Sequence, residues 1–386
     1  MRRAAIVVVA VTAAAPAARA DDVVDDEPTQ KGKGTEKEKE KGTEKEKGTE
    51  KEKGKDKEKD LTVGGRVFAR GEATRTDTVP WTGELSLASA RLGVSYRWKH
   101  GVRAKVSVEA DGRVSVRDAF VEVAVGAGVE VRAGRFKVPI SSIEQASAWS
   151  LPTIGRPVVA DVLEDGIGLT GRQEGVRVEW TPAATARLTV ALTQSVATTG
   201  DDPARPLDDG AGIAVAARAE LEPVPGVRLA VVGSNREVNY IAGVERYWAG
   251  GADVELDLAP HGLGLRLWAD ALAGTSHFGA ATRGQPSTGF VAGQVAAGWR
   301  LGGADKGKRF VEPFAAAAYL NPSWEVRRDD VTEVMVGVGA GRWRRWRVQA
   351  QLSVVNARGL RPAGLRGANE DIDDEVTAAV QLGASF

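Results

Sequence analysis

Few side chains in this chain could carry chemistry, and their spacing limits what they could do. Its 386 residues include three histidines and no cysteine, which excludes thiol nucleophiles, disulfides and zinc–thiolate sites. His100, His261 and His277 lie far apart without metal-ligand spacing, so each reads as a turn or loop residue and no cofactor is expected. Ser276-His277 sets a nucleophile beside a base, but chain neighbours do not make a triad, and nothing supplies a third member. The Gly-rich stretches fall in strand- and turn-like sequence and open no helix, so they are not phosphate cradles. Lys plus Arg number 52, as do Asp plus Glu; without a basic excess the chain is not a general nucleic-acid binder. What remains is a large set of arginines at alternating positions. The guanidinium fork binds oxyanions bidentately, so the chemistry on offer is the holding of anions.

Those arginines need strands to position them. Between Ala88 and Trp98 one face reads Ala88, Ala90, Leu92, Val94, Tyr96 and Trp98, and the other Ser89, Arg91, Gly93, Ser95 and Arg97. After a turn at 99–101, Val102, Ala104, Val106, Val108 and Ala110 oppose Arg103, Lys105, Ser107, Glu109 and Asp111. A soluble sandwich alternates in this way too, but here the pattern repeats almost to the end of the chain. Further strands read near 62–72, 114–125, 129–138, 186–195, 211–222, 226–235, 247–258, 262–274, 288–301, 308–320, 331–343 and 345–356. Long connections fall at 73–84, 139–165, 196–210, 236–246, 275–287, 321–330 and 357–373. If both termini are periplasmic, long loops follow odd-numbered strands. That requires 166–180 to be one strand, bulged around Gly171 to Gly175, and gives sixteen strands, an even number as in bacterial barrels.

The ends of the chain agree with this reading. Arg2 and Arg3, the apolar run from Ala4 to Ala15, Pro16 and Ala18-Arg19-Ala20 form a signal peptide, 1–20. Residues 21–60 follow as a tether. From 31 to 60 it holds twelve Lys, ten acidic residues and no apolar side chain, so it has nothing to bury and reads as a solvated spacer, with contact to the cell wall as its sharper alternative. The barrel domain is 61–386. Its last strand places Val376, Ala378, Val380, Leu382, Ala384 and Phe386 on one face, and an apolar face ending in an aromatic resembles the closing strand of outer-membrane barrels. No apolar stretch after the signal is long enough for a membrane helix, and only closure pairs every backbone group of a sheet in lipid. Trp98, Trp180, Trp299, Trp343 and Trp346 sit beside short turns, with Phe386 at its strand end, and Trp81, Trp248 and Trp324 lie near long loops. Two aromatic belts are expected at two membrane interfaces. The fold class is thus an all-β transmembrane antiparallel barrel in the bacterial outer membrane, with lipid as its first partner.

Three stretches resemble the phosphate- and polyphosphate-selective porins: Arg117-Asp118-Ala119-Phe120-Val121-Glu122, Gly134-Arg135-Phe136-Lys137-Val138-Pro139 leading into Ile140-Ser141-Ser142-Ile143-Glu144, and Gly168-Leu169-Thr170-Gly171. The likeness covers residues 61 to 386 and weakens beyond 180. It implies a sixteen-stranded porin, commonly trimeric, with a basic lumen drawing in small anions such as phosphate.

The polar phase of the strands gives its own account of the lumen. Inward cations include Arg91, Arg103 and Lys105; Arg135 and Lys137 join them if strand five turns Phe136 and Val138 to lipid. Inward acids nearly cancel the cations, and Asp253, Glu255 and Asp257 make an acidic face on strand ten. The connection from Pro139 to Asp165 is the candidate constriction, with Arg156 beside Glu144, Asp161, Glu164 and Asp165. The solute-contacting candidates are Arg135, Lys137, Arg156, Arg91, Arg103 and Lys105. A sixteen-strand barrel is wide enough for an aqueous lumen, so the expected function is passive diffusion of small hydrophilic solutes, leaning to anions. A plugged structural or adhesion barrel, and a lipid hydrolase using His277, are the alternatives.

Overall fold

The computed structural model describes residues 60–76, 79–98, 101–195, 211–240, 243–276, 288–303, 307–324, 330–357 and 374–386. The expected signal peptide, 1–20, and the expected tether, 21–60, apart from Asp60, lie outside them, as do His100 and His277.

Among the described residues the chain winds through sixteen antiparallel staves, each paired with its sequence neighbour. They are β1 (Asp60–Thr76), β2 (Thr82–Arg97), β3 (Val102–Ala110), β4 (Val114–Gly126), β5 (Val129–Lys137), β6 (Arg172–Ala183), β7 (Ala186–Gln194) and β8 (Ala211–Val224). Then come β9 (Val227–Tyr240), β10 (Gly243–Asp257), β11 (Leu265–Ser276), β12 (Thr288–Trp299, resumed at Leu301–Gly302 after a break at Arg300), β13 (Arg309–Asn321), β14 (Val331–Arg342), β15 (Trp346–Ala357) and β16 (Glu375–Ser385). β1 closes the barrel on β16, from Arg66 opposite Ser385 to Thr76 opposite Glu375. Closure leaves no strand edge to satisfy, which is the condition for a sheet to cross lipid.

The two-residue period decides which side chains meet lipid. On β13, Phe310, Glu312, Phe314, Ala316, Ala318 and Leu320 are buried inside the barrel, and Val311 and Tyr319 stand exposed outside. The same alternation leaves Leu92, Val106, Val176, Val231, Val336 and Leu382 on the outer wall. In water that much exposed aliphatic surface would drive aggregation; in a bilayer it is the solvated face. Trp98, Trp180, Trp299, Trp346 and Phe386 are exposed at the end that carries the short turns, and Trp81, Trp248 and Trp324 at the other. Trp343 departs from its expected belt. It is buried in the lumen, edge-on to Phe310 at 5.7 Å with the Arg300 guanidinium 3.5 Å above its ring.

Two expected long connections are mostly strand. β1 and β2 run on to Thr76 and from Thr82, and β9 and β10 come within two residues of each other at Tyr240 and Gly243, so 73–84 and 236–246 extend the barrel wall. β6 is one stave, as the loop parity requires, but it starts at Arg172. Residues 166–171 instead belong to the connection before it.

Candidate functional site

The connection from Val138 to Gly171 folds into the barrel. Its apolar residues explain why: Ile140, Ile143, Leu151, Val159, Val162, Leu163, Ile167 and Leu169 are each at most 2% exposed. Out in solvent each would forgo about 1.5–3 kcal/mol of burial. Inside, most of them pack on apolar lumen residues of β8–β15, among them Ala216, Val232, Leu272, Phe290, Leu320 and Val331. The segment contains two short helices, α1 (Ser142–Gln145) and α2 (Val158–Asp161), and a π-helical turn at Val162–Gly166. It leaves through Gly171, whose φ of 81° and close approach to Glu164 both favour glycine.

Polar pins fix the loop across the lumen. Ser141, which holds φ at 63° without being glycine, donates its Oγ proton to Asp270 on β11 at 2.5 Å and accepts from the Glu144 amide at 3.2 Å. Gln294 on β12 joins the same carboxylate at 3.1 Å. The Val158 amide donates to Glu333 on β14 at 2.6 Å, and the Ile154 amide to Gln351 on β15 at 2.8 Å. Arg347 donates to the carbonyls of Ala148, Trp149 and Leu151 at 2.7, 3.0 and 3.1 Å. One side of the lumen is therefore filled by a sealed apolar contact.

The other side stays open. Between α1 and the wall of β3–β10 lies a cavity of about 170 Å³. Lys105, Arg132, Lys137, Arg172, Arg177, Arg187, Arg218 and Arg228 line it, against Asp118, Glu179, Glu220 and Glu255. The lining thus holds eight cations and four carboxylates, with Arg132 and Arg218 also paired to Glu122 and Asp253 just outside it. The acids are held in shared pairs: Asp118 by Arg172 at 2.7 Å and Lys105 at 3.7 Å, and Glu179 by Arg177 at 2.8 Å and Arg187 at 3.2 Å. Just outside the cavity lining, Glu122 is shared by Arg103, at 2.9 Å, and Arg132. Glu109 is shared by Arg66, Arg91 and Arg117. The acidic face of β10 is likewise paired: Asp253 with Arg218 at 2.5 Å, Glu255 with Arg228 at 3.0 Å and Asp257 with Arg266 at 3.7 Å. Opposite charges thus alternate between neighbouring staves and do not form two opposed walls.

The sequence-derived candidates separate into three groups. Lys105 and Lys137 line the cavity, and Arg91 and Arg103 face the lumen beside it, each on a carboxylate. Lys137 also donates to the carbonyls of Gln145 and Ala146, both at 3.0 Å, anchoring the end of α1. Arg156 caps the same turn, donating to Ile143, Glu144 and Ala146 carbonyls at 3.3, 3.2 and 2.9 Å; it braces the loop from within. Glu144 beneath it is buried, with Arg156 Nε 3.6 Å away. Burial pushes the Glu144 carboxyl above the usual carboxylate range; Arg156 opposes the shift and Glu164 adds to it.

Arg135 corrects the expectation. Arg132 and Phe136 are buried on the lumen side of β5, so Arg135 points outward, 3.7 Å from Glu174 on β6. Val131 and Ala133 share that outward phase, and Glu130 and Arg132 the inward one. This four-residue pattern sets the strand's phase, although an outward arginine at mid-membrane costs about 2–4 kcal/mol. Arg132 and Arg172 are cavity residues that the sequence reading did not select. The Val131/Ala133 phase was the signal for the first. The second was hidden because strand six was expected to begin earlier.

His277, on which the hydrolase alternative rests, lies outside the described residues. His261 Nε2 lies 2.8 Å from the Pro225 carbonyl in a turn at the short-turn end, and among the described residues no His/Asp/Glu group could hold a metal ion.

A closed, loop-narrowed barrel with an apolar exterior and a charged lumen is a bacterial outer-membrane porin. Residues 69–223, from β1 to β8, match the family model described as phosphate-selective porin O and P. All three motif stretches lie inside it. No curated protein matches the sequence. Among solved structures the chain is similar to an anion-selective porin from Comamonas acidovorans (TM-score 0.61, 11% identity, covering 85% of this chain and 100% of that one). It is similar also to the outer membrane channel DcaP of Acinetobacter baumannii (TM-score 0.61, 12% identity, 85% and 97%) and to OmpF of Salmonella typhi (TM-score 0.58, 12% identity, 84% and 97%). At such identities these likenesses speak for the fold.

Proposed function

We propose that this porin is a passive diffusion channel that prefers small anions, with phosphate among its solutes. The observation that carries this reading is the excess of basic side chains around the cavity beside α1. A positive constriction raises the local concentration of anions and lowers that of cations. Arginine pairs such as Arg177 and Arg187, which share Glu179, still offer guanidinium edges to a passing oxyanion. The family match to phosphate-selective porins and the anion-selective neighbour point the same way. The family and the fold also argue for a channel over an enzyme. The reading includes export through residues 1–20, a periplasmic tether at 21–60 that can reach the cell wall, and assembly as a homotrimer; one neighbour, OmpT of Vibrio cholerae, is described in a trimer form.

The test is single-channel current of the refolded protein in KCl, with phosphate then added. The reading predicts open-channel current that phosphate reduces. Current indifferent to phosphate would leave an anion-leaning porin without phosphate recognition. The apolar seal of the 138–171 loop favours one second reading, the plugged structural barrel, and absence of current would support that instead.

A further inference from the structure

We propose that the outer rim of β12–β15, at the short-turn end, binds the phosphate headgroup of an anionic phospholipid, in the leaflet that faces the periplasm on the reading above. The proposal does not depend on what passes through the lumen. Lys308, Arg309, Arg342 and Arg345 are all exposed on this rim. None of the four makes a side-chain hydrogen bond or ion pair with a described residue. Lumenal cations differ in this respect, as Arg177 and Arg187 do by sharing Glu179.

Strand phase aims two of these cations at the bilayer. Arg309 and Arg342 are direct cross-strand partners, and Arg342 lies in turn opposite Trp346. All three share the outward phase of Val311, Val338 and Val348. Like charges directly opposite one another destabilise a sheet, and no ion pair among the described residues relieves this one. A phosphate between them does, because guanidinium forks take its oxygens bidentately. Leu301 and Val311, paired one step further into the wall, are apolar and exposed, so the row borders lipid. Arginine beside an apolar wall turns its head to the headgroup layer, and exposed Trp299 and Trp346 flank the row on β12 and β15 at the depth where such rings settle.

The platform is built before any lipid arrives. The Gly307 amide donates to the Trp343 carbonyl at 2.8 Å and the Trp343 amide to the Lys308 carbonyl at 2.9 Å, which ties the two turns of this rim together. Trp343 is buried in the lumen and Arg344 holds φ at 55° without being glycine, so the turn that carries Arg345 is fixed. Three other short turns, at 126–129, 182–186 and 224–227, contain no charged residue. The basic character is thus confined to one arc, as a headgroup site requires and general solubility does not.

The chain has no cysteine, so single bimane labels at Val311→Cys and Leu188→Cys can report on two arcs, each at the third residue of its stave. The full chain is refolded into phosphatidylcholine vesicles holding a small fraction of phosphatidylglycerol with a nitroxide near the top of one acyl chain, or of phosphatidylcholine labelled in the same way. Quenching by the glycerol lipid, relative to the choline lipid, should be several-fold stronger at 311 than at 188. Arg309→Gln/Arg342→Gln should bring 311 down to the level of 188 while circular dichroism shows the barrel folded, and Arg309→Gln or Arg345→Gln alone should give part of that loss. Equal quenching by the two lipids at 311 would overturn the proposal. So would enrichment that survives the double substitution, because the apolar wall and not the cations would then hold the lipid. Sedimentation with purified peptidoglycan that the same substitutions abolish, without lipid enrichment, would overturn it in favour of the cell wall.

Discussion

Arg187 and Glu144 show two ways a charge can serve this lumen. Arg187 lines the cavity with its side chain 27% exposed, shared between Glu179 and Glu220, so on the proposed reading it would meet solute without being needed to hold the loop. Replacing it by Gln should move the zero-current voltage toward that of potassium while the barrel stays folded; an unmoved potential would take Arg187 out of the selectivity account. Glu144 is buried beneath Arg156, with one carboxylate oxygen lacking a hydrogen bond. Its pKa is raised in the folded loop, so the native state holds this proton more tightly than the unfolded chain does. Loop docking is then most stable below the ordinary carboxylate pKa and weakens as pH rises through the folded value. Glu144→Gln should therefore raise the melting temperature at neutral pH and flatten its pH dependence. A lower melting temperature in the variant would show that the ion pair to Arg156 outweighs desolvation. At this scale the sequence was partly legible. Strict alternation turned Arg91, Arg103 and Lys105 correctly inward. The phase of Arg135 was not legible in the same way, because the cost of cations in lipid favours one register of β5 and the four-residue pattern at 130–133 the other.

At the scale of elements, the proposed channel depends on the loop between β5 and β6. It is sealed to β8–β15 by aliphatic packing and pinned by Ser141, Val158 and Arg347, leaving the basic side open. Leu163 is fully buried in this seal, and Leu163→Ala should cost about 2–5 kcal/mol of packing. The expected outcome is faster amide hydrogen exchange across 138–171 and a larger single-channel conductance, with the strands still protected. Unchanged conductance with a loosened loop would mean that the loop does not set the width of the passage. The loop was visible in the sequence as a long connection holding Trp149 and Arg156. Its direction was not, because inward folding depends on apolar residues such as Phe290 and Leu320, which belong to strands far along the chain. The same distance hid the fate of Trp343. Its position beside a short turn suggested the membrane interface, but guanidinium contacts from Arg266 and Arg300 hold it in the lumen.

For the whole molecule, the two-residue period, the parity of loop lengths and the even strand count were enough to specify a sixteen-stave barrel, because closure in lipid leaves few alternatives. Strand ends were less legible where polar staves run past the membrane, as β1, β2, β9 and β10 do. On the proposed reading a neutral chain builds a selective passage by distributing its charges unevenly around one lumen. The open side gathers eight cations against four acids; the filled side is apolar where the loop seals it. The proposed selectivity would belong to that asymmetry and not to net charge. The most direct test is the reversal potential of the refolded protein in a planar bilayer under a KCl gradient. The account predicts a potential displaced toward the chloride equilibrium value; a potential displaced toward the potassium value would contradict it.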